Sequence, residues 1–372
     1  MKKEPLLKKA DAVRFLAALL LSILAEGLKK LFSAFPGKFF PAYRNLSKAV
    51  MKAFASVSSI VPFSLWDILC LCLILGLMIS LVLVIIKKRR RIFTWVSIAA
   101  LLLSFLFFSS TSLWMLNHYG PSLASEMGFE KNRFSEDELY EAAEYYTKKA
   151  AEYAISVERD ENGYLMAENF SFKTIASRAG LSYNKLAEEY PVFSDGSEKP
   201  VKYLTVFNPV MLYTGTSGIF VEFTGESTVP TGNYILDMPH TMCHEVAHRL
   251  GIASEEDANF AAFLACASSD YPEFCYSGYY SAFVYMYNKL YEVNKNLCSK
   301  LINNLSSEGM TCLLRDADMA SETYARYDTP VEKAGKKVND LSLKSYGVTD
   351  GIRSYGNVVN DLIAWYQIQK KG

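Results

Sequence analysis

The sequence predicts a mainly helical protein: transmembrane helices at the N-terminus, then an α+β domain that carries a small β-sheet. Three observations predict it. Two long charge-free apolar runs fall in the first third of the 372 residues. The remainder is rich in helix-start signals. One β-branched and aromatic stretch interrupts those helices just before a histidine-bearing helix.

The membrane region comes first. Residues 15–25 are an apolar run preceded by Lys2, Lys3, Lys8, Lys9 and Arg14. No small-x-small cleavage site follows before Glu26, so the run reads as a first span or signal anchor, a helix of about residues 12–35. Residues 68–86 carry no charge, and neither do residues 92–117, which hold Trp95 and Trp114 near their ends. Both runs are long enough to cross a bilayer, as helices of about 66–86 and 92–117, and terminal tryptophans suit the interfacial belts. Between them stand Lys87, Lys88, Arg89, Arg90 and Arg91, which belong on the cytoplasmic side. The second of these spans then runs outward, and everything after Tyr119 falls outside the cytoplasmic membrane. Six basic residues from Lys29 to Lys52 face outward in this topology, against the general rule. The compact cluster at 87–91 is the stronger determinant. The expected division is a membrane region at 1–118 and an extracytoplasmic domain at 119–372, in a multi-pass protein of the cell membrane.

In the outer domain, Ser135 and Glu138 form a capping box, with Phe134 and Leu139 as a hydrophobic staple, so a helix starts there and runs to about Ser156. Short helices are expected at 172–179 and 182–190. Residues 201–207 and 219–223 are β-branched and aromatic, with Gly and Pro turns around them, and predict two or three strands. An edge of that sheet could hold an extended peptide by strand addition; an ordinary structural hairpin is the plainer alternative. Further helices are expected at 278–305, 328–345 and 355–369. Residues 353–356 read either as a helix entry or as a segment reaching a cleft.

The chemistry lies in His244-Glu245-Val246-Ala247-His248. Two imidazoles four apart on a helix point the same way and can converge on one metal ion, with Glu245 placed as general base. Gly251 reads as the helix stop. Ser254 and Asp257 then cap a new helix with acidic residues at 255, 256 and 257 in its first turn. Catalytic zinc takes three protein ligands and an open position. Glu255 is the favoured third ligand, with Glu256 and Asp257 as competitors. Asn259, one turn on, could hydrogen-bond a ligating histidine. His240 lies on the same face, but reads as filling the first turn near Pro239 and Asp237. Tyr276, Tyr279, Tyr280, Tyr285 and Tyr287 form a stripe. One phenol could stabilise an oxyanion, but in a chain with 24 tyrosines the stripe reads as packing and singles out none.

Net charge is zero, which gives no sign of nucleic-acid binding, since that would show as a basic stripe. Hydrophobic residues make up 51% of the chain, an excess concentrated in the first third. The seven cysteines form no disulfide framework. Cys243 and Cys266 read as small buried hydrophobes, and Cys298 and Cys312 as a pair that could bridge in an oxidising compartment.

The stretch from Cys243 to Gly251, followed by Glu255-Glu256-Asp257-Ala258-Asn259-Phe260, resembles a bacterial membrane-protein family catalogued as domain of unknown function 3810. Pro62-Phe63-Ser64-Leu65-Trp66-Asp67 and Tyr276-Ser277-Gly278-Tyr279 fit it too, and the resemblance covers most of the chain. At the motif level the sequence is also similar to gluzincin-type metallopeptidases, whose third ligand is the Glu of an E-x-x-A-(D/N) helix. That similarity implies Glu255 rather than Glu256 as ligand, Asn259 as its supporting residue, and a gluzincin-like core of active helix, edge sheet and glutamate helix. The interval from His248 to Glu255 departs from the pattern, being much shorter than in most gluzincins.

The expectation is a membrane-anchored zinc hydrolase, foremost a peptidase, acting outside the cytoplasmic membrane. His244, His248 and Glu255 would hold Zn2+ and Glu245 would carry the proton. Its partners would be the lipid bilayer and a peptide or protein substrate, without nucleic acid. Two alternatives stand beside it. One is a catalytically silent zinc-binding sensor or assembly protein, its site closed by His240 as fourth ligand. The other is a hydrolase of a non-peptide amide such as a cell-wall crosslink.

Overall fold

The computed structural model describes residues 8–87, 92–131, 133–194, 198–304, 307–345 and 357–371. The N-terminal helices are α1 (Lys9–Ala34), α2 (Pro36–Ser58), α3 (Leu65–Lys87) and α4 (Ile92–Leu113). The C-terminal part begins with α5 (Leu123–Glu126), α6 (Glu136–Ala154), α7 (Phe172–Ala179) and α8 (Asn184–Glu189). Then come β1 (Lys202–Tyr203), α9 (Asn208–Tyr213), β2 (Ile219–Val221) and β3 (Glu226–Val229). The chain closes with α10 (Met238–Arg249), α11 (Glu255–Ala267), α12 (Pro272–Val293), α13 (Lys295–Asn304), α14 (Glu308–Ala325), α15 (Pro330–Ser345) and α16 (Val358–Lys371). The protein is mainly helical with one small three-stranded sheet, ordered β1-β3-β2.

Among the described residues, α3 and α4 are the two helices long and apolar enough to cross a membrane. Helix α3 turns Leu73, Ile74, Met78, Ile79, Val82 and Ile86 outward. Helix α1 packs along α4 in parallel: Asp11 meets Thr94 and Ser97, and Ser22 meets Ser104. Its buried residues Asp11, Ala18, Ala25 and Phe32 recur every seven positions, and Leu16, Leu20, Ile23 and Leu24 are exposed on the rest of its surface. Residues 88–91 of the expected cytoplasmic loop lie outside the described residues, as do residues 353–356.

Helix α2 was not among the expected elements. It lies against the C-terminal part. Arg44 pairs with Glu126, Lys48 donates to the Val192 carbonyl, and Met51 packs with Trp114, Phe220 and Ala253. Two of the six basic residues that sat awkwardly in the expected topology are therefore bound to that part.

Helix α3 is fastened to the sheet through its first turn. Both oxygens of the buried Glu226 on β3 accept the first amides of α3, from Leu65 at 2.9 Å and Trp66 at 3.0 Å. Glu226 is neutralised by the buried Lys202 of β1 at 2.6 Å. In return the Asp67 carboxylate accepts the backbone N–H groups of Thr205, Val206 and Phe207. That capture corrects the expected strand at 201–207. Amides held by a carboxylate cannot join a ladder, so β1 stops at Tyr203 and α9 follows.

The core of the C-terminal part packs α6, α10, α11, α12, α14 and α16 together. Helix α6 begins with the capping box read from sequence: Ser135 Oγ accepts from Glu138 N, and Glu138 Oε2 accepts from Ser135 N. The single helix expected at 278–305 is instead α12 and α13, broken at Asn294, whose backbone is extended. Helix α14 was missed. Its fully buried Asp316 accepts from Arg159 at 2.7 and 3.2 Å and from Tyr276 at 2.5 Å. Cys298 and Cys312 are free, as are the other five cysteines.

Candidate metal centre

Helix α10 runs through the middle of the domain, and its residues are buried nearly all round. Outside groups hold three of its carbonyls: Tyr183 Oη donates to Cys243, Ser227 Oγ to Glu245 and the Trp114 indole to His248. The helix ends in a Schellman motif. Ile252 N donates to the Ala247 carbonyl, Gly251 N donates to the His248 carbonyl, and Gly251 takes φ +83°. This sharp stop leaves room for only a few residues before Ser254 caps α11, its Oγ accepting from Asp257 N at 3.4 Å. The short connection folds α11 back over α10 and sets its first residue, Glu255, above the two histidines.

The result is a triangle of donor atoms. His244 Nε2 and His248 Nε2 lie 3.1 Å apart. Glu255 Oε2 lies 3.1 Å from the first and 3.6 Å from the second. Glu255 Oε2 is buried and makes no hydrogen bond, although it faces both rings. His248 Nδ1 stands 2.8 Å from the Ile252 carbonyl. A proton on Nδ1 there leaves Nε2 free as a ligand, the arrangement usual for metal-binding histidines. The three residues are grouped by geometry as a set able to hold one ion. Of the other two carboxylates in this turn, Glu256 pairs with Lys131 at 2.6 Å. Asp257 is buried, which pushes it up to about 6 against the opposing pull of Lys131. Neither belongs to the triangle.

His248 and Glu255 shift one another strongly. Burial disfavours charge on both partners, yet His248 is raised to about 9, because the Glu255 carboxylate overrides burial. The same pairing holds Glu255 well below the ordinary carboxylate range.

Glu245 lies on α10 beside the triangle, with Oε2 buried and unbonded. Burial pushes it up to about 7; His244 and His248 oppose the shift and Glu255 adds to it. Its carboxylate rests on Gly218, just before β2, where a Cβ would collide with it. Asn259 is buried on α11. His244 Nδ1 has no partner, so Asn259 does not hold that ring, and the outer nitrogen of His248 is held by Ile252. His240 stands apart from the triangle. Burial, His244 beside it and the Asn259 backbone together set its pKa at about 3, burial being the largest cause.

Two features escaped the sequence reading. His118, in the turn that follows α4, packs edge-on against Trp114 with ring centroids 5.7 Å apart. Burial and the neighbouring His248 hold it near 4. Being one of four histidines was its only signal. The second is a cavity of about 770 Å3 beside the centre, lined by Ser217, Asp237, His240, Tyr280, Tyr285 and Tyr324. Ser217 adjoins Gly218 in the chain, and His240 lies one turn before His244 on α10.

A family model described as Protein of unknown function (DUF3810) matches residues 43–363, and the chain belongs to that family. No curated protein and no solved structure matches it.

Proposed function

We propose that this protein is a membrane-anchored zinc-dependent hydrolase, foremost a peptidase with a gluzincin-like centre, whose site faces the outside of the cytoplasmic membrane. The triangle of donor atoms carries the reading. Zinc bonds of about 2.0–2.2 Å in a tetrahedron place ligand atoms roughly 3.3–3.6 Å apart. The observed edges of 3.1, 3.1 and 3.6 Å bracket that spacing. Three ligands leave one tetrahedral position open, as catalytic zinc sites do. His240 is not among the converging donors, which argues against a closed structural site.

Zinc held there supplies Lewis acidity for carbonyl polarisation and water activation. The chain's own residues do the rest. Glu245, beside the triangle, would take a proton from the attacking water and return it to the leaving amine. Strand β2 is a sheet edge, so its outer backbone groups can hold an extended peptide across the site. The basic residues at 87–91 and at the start of α1 favour a cytoplasmic inner end for the helices. That orientation makes α1 a third, parallel span and puts the centre outside.

The test uses the purified full-length protein loaded with zinc and a mixed-sequence peptide pool read by mass spectrometry. Wild type is expected to cut peptides, and Glu245→Gln to keep zinc and cut none. Undiminished cleavage by Glu245→Gln would sink the mechanism.

A further inference from the structure

The metal centre stands directly on the outer end of the second apolar helix. Trp114 immediately follows Leu113, the last residue of α4. Its indole N–H donates to the carbonyl of the ligand His248 at 2.9 Å, and the two rings lie 5.8 Å apart, edge to face. The other outer end, at Leu65 and Trp66, is capped by Glu226 on β3, the strand paired with edge strand β2. Trp66 also stacks on Phe223 with centroids 5.2 Å apart. Both ends are thus fixed to the elements that build the site, so its height above the bilayer is set by the fold.

That height is small. A bilayer of roughly 40–45 Å with a hydrocarbon core of about 30 Å leaves about 5–8 Å of headgroup layer on each side. Trp66, half-buried at the start of α3, suits that layer, while Trp114 is buried in protein against Met51 and Phe220. The His248 ring lies 5.8 Å from the Trp114 ring at the end of α4, a separation comparable to that layer of about 5–8 Å. Apolar side chains are exposed on the flanking segments: Ile60 just before α3, Val206 in the segment held by Asp67, Val210 and Tyr213 on α9, and Ile219 on the edge strand. Exposed apolar groups gathered at the end of a membrane helix are suited to lipid rather than water.

We infer that this centre works inside the headgroup layer, and that its substrate is a polypeptide itself anchored in the same membrane, bound through the extended stretch just outside its own span. This rests on the hydrolase reading and names its substrate class. A peptide segment within hydrocarbon must keep its backbone bonds to itself as a helix. In the headgroup layer it can be drawn out and paired with β2. An anchored chain also reaches the site by lateral diffusion, at a local concentration that a dissolved peptide does not have.

Two measurements on the full chain in phosphatidylcholine–phosphatidylglycerol vesicles test it. The first is depth. On a Cys70→Ala, Cys72→Ala background, where the five other cysteines are buried, nitroxides are placed at Val210→Cys and Ile219→Cys. Power saturation with oxygen and a water-soluble nickel chelate is expected to put both labels in the headgroup layer or deeper. Labels at bulk-water accessibility overturn the placement, whatever the activity. The second compares one mixed-sequence pool, free or fused to a transmembrane helix, at equal bulk concentration. The anchored pool is expected to be cut on the order of 100-fold faster. Equal rates, or preference for the free pool, overturn the substrate class while leaving the hydrolase reading intact. If neither pool is cut, the substrate class falls with the hydrolase reading, and the depth result stands separately.

Discussion

Gly218 offers the sharpest perturbation of the proposed chemistry. A Cβ built there meets the Glu245 carboxylate first and its Cδ and Cγ at 2.8 Å. Ordinary van der Waals contact begins near 3.4 Å, so Gly218→Ala displaces the Glu245 side chain by at least 0.6 Å, the difference of the two figures. Gly218 is not among the glycines with positive φ, so alanine meets no backbone strain there. The three atoms nearest that Cβ all belong to Glu245 and none to the triangle. Displacing a reacting group by about 1 Å costs on the order of 100-fold in rate. Gly218→Ala should therefore lose roughly 10- to 100-fold in turnover, about 1.4–2.7 kcal/mol of barrier, with zinc content unchanged. The assay is peptide-pool cleavage alongside metal analysis of the same preparation. Wild-type turnover in Gly218→Ala would refute the placement of Glu245. Loss of zinc would show that Gly218 supports the metal rather than the proton carrier.

Two further variants probe the frame around the site. Glu226→Ala leaves the Lys202 ammonium buried without its carboxylate and uncaps α3, and should cost about 3–5 kcal/mol, lowering Tm by roughly 6–15 °C. A Tm within about 2 °C of wild type would contradict the joint between sheet and membrane helix. Burial pushes Asp237 up to about 6, above its unfolded value of 3.8, against a hydrogen bond from the Tyr324 hydroxyl. A carboxyl raised in this way stabilises the fold below the unfolded pKa, and that contribution is lost as pH rises through about 6. Asp237→Asn keeps a neutral acceptor for Tyr324, so its Tm relative to wild type should climb between pH 4 and pH 8; a pH-independent difference would show that burial is not the cause.

Local chemistry made some of this legible in the sequence. The Ser135–Glu138 box, the Gly251 stop and the Ser254 cap all depend on residues three or four apart, and the structure has them at those positions. Helix spacing alone brought His244 and His248 together, and a short loop brought Glu255 to them. What was hidden depends on distant partners. Asp67 takes amides nearly 140 positions away and ends a strand that β-propensity favoured. Helix α14 is held through Asp316 and Arg159, a pairing no window of sequence contains. Gly218 looked like a turn residue, yet its empty side-chain position is where the Glu245 carboxylate rests. Trp114 read as an interfacial anchor; it is instead buried against Met51 and Phe220 and donates to the His248 carbonyl.

The central claim is that His244, His248 and Glu255 hold one metal ion. Metal analysis of the zinc-loaded, gel-filtered full-length protein, compared across single variants, tests it most directly. One zinc per chain is predicted for wild type, Glu245→Gln and His240→Ala, and near none for His244→Ala, His248→Ala and Glu255→Ala. Wild type without zinc, or zinc retained when any of the three ligands is removed, would contradict the account.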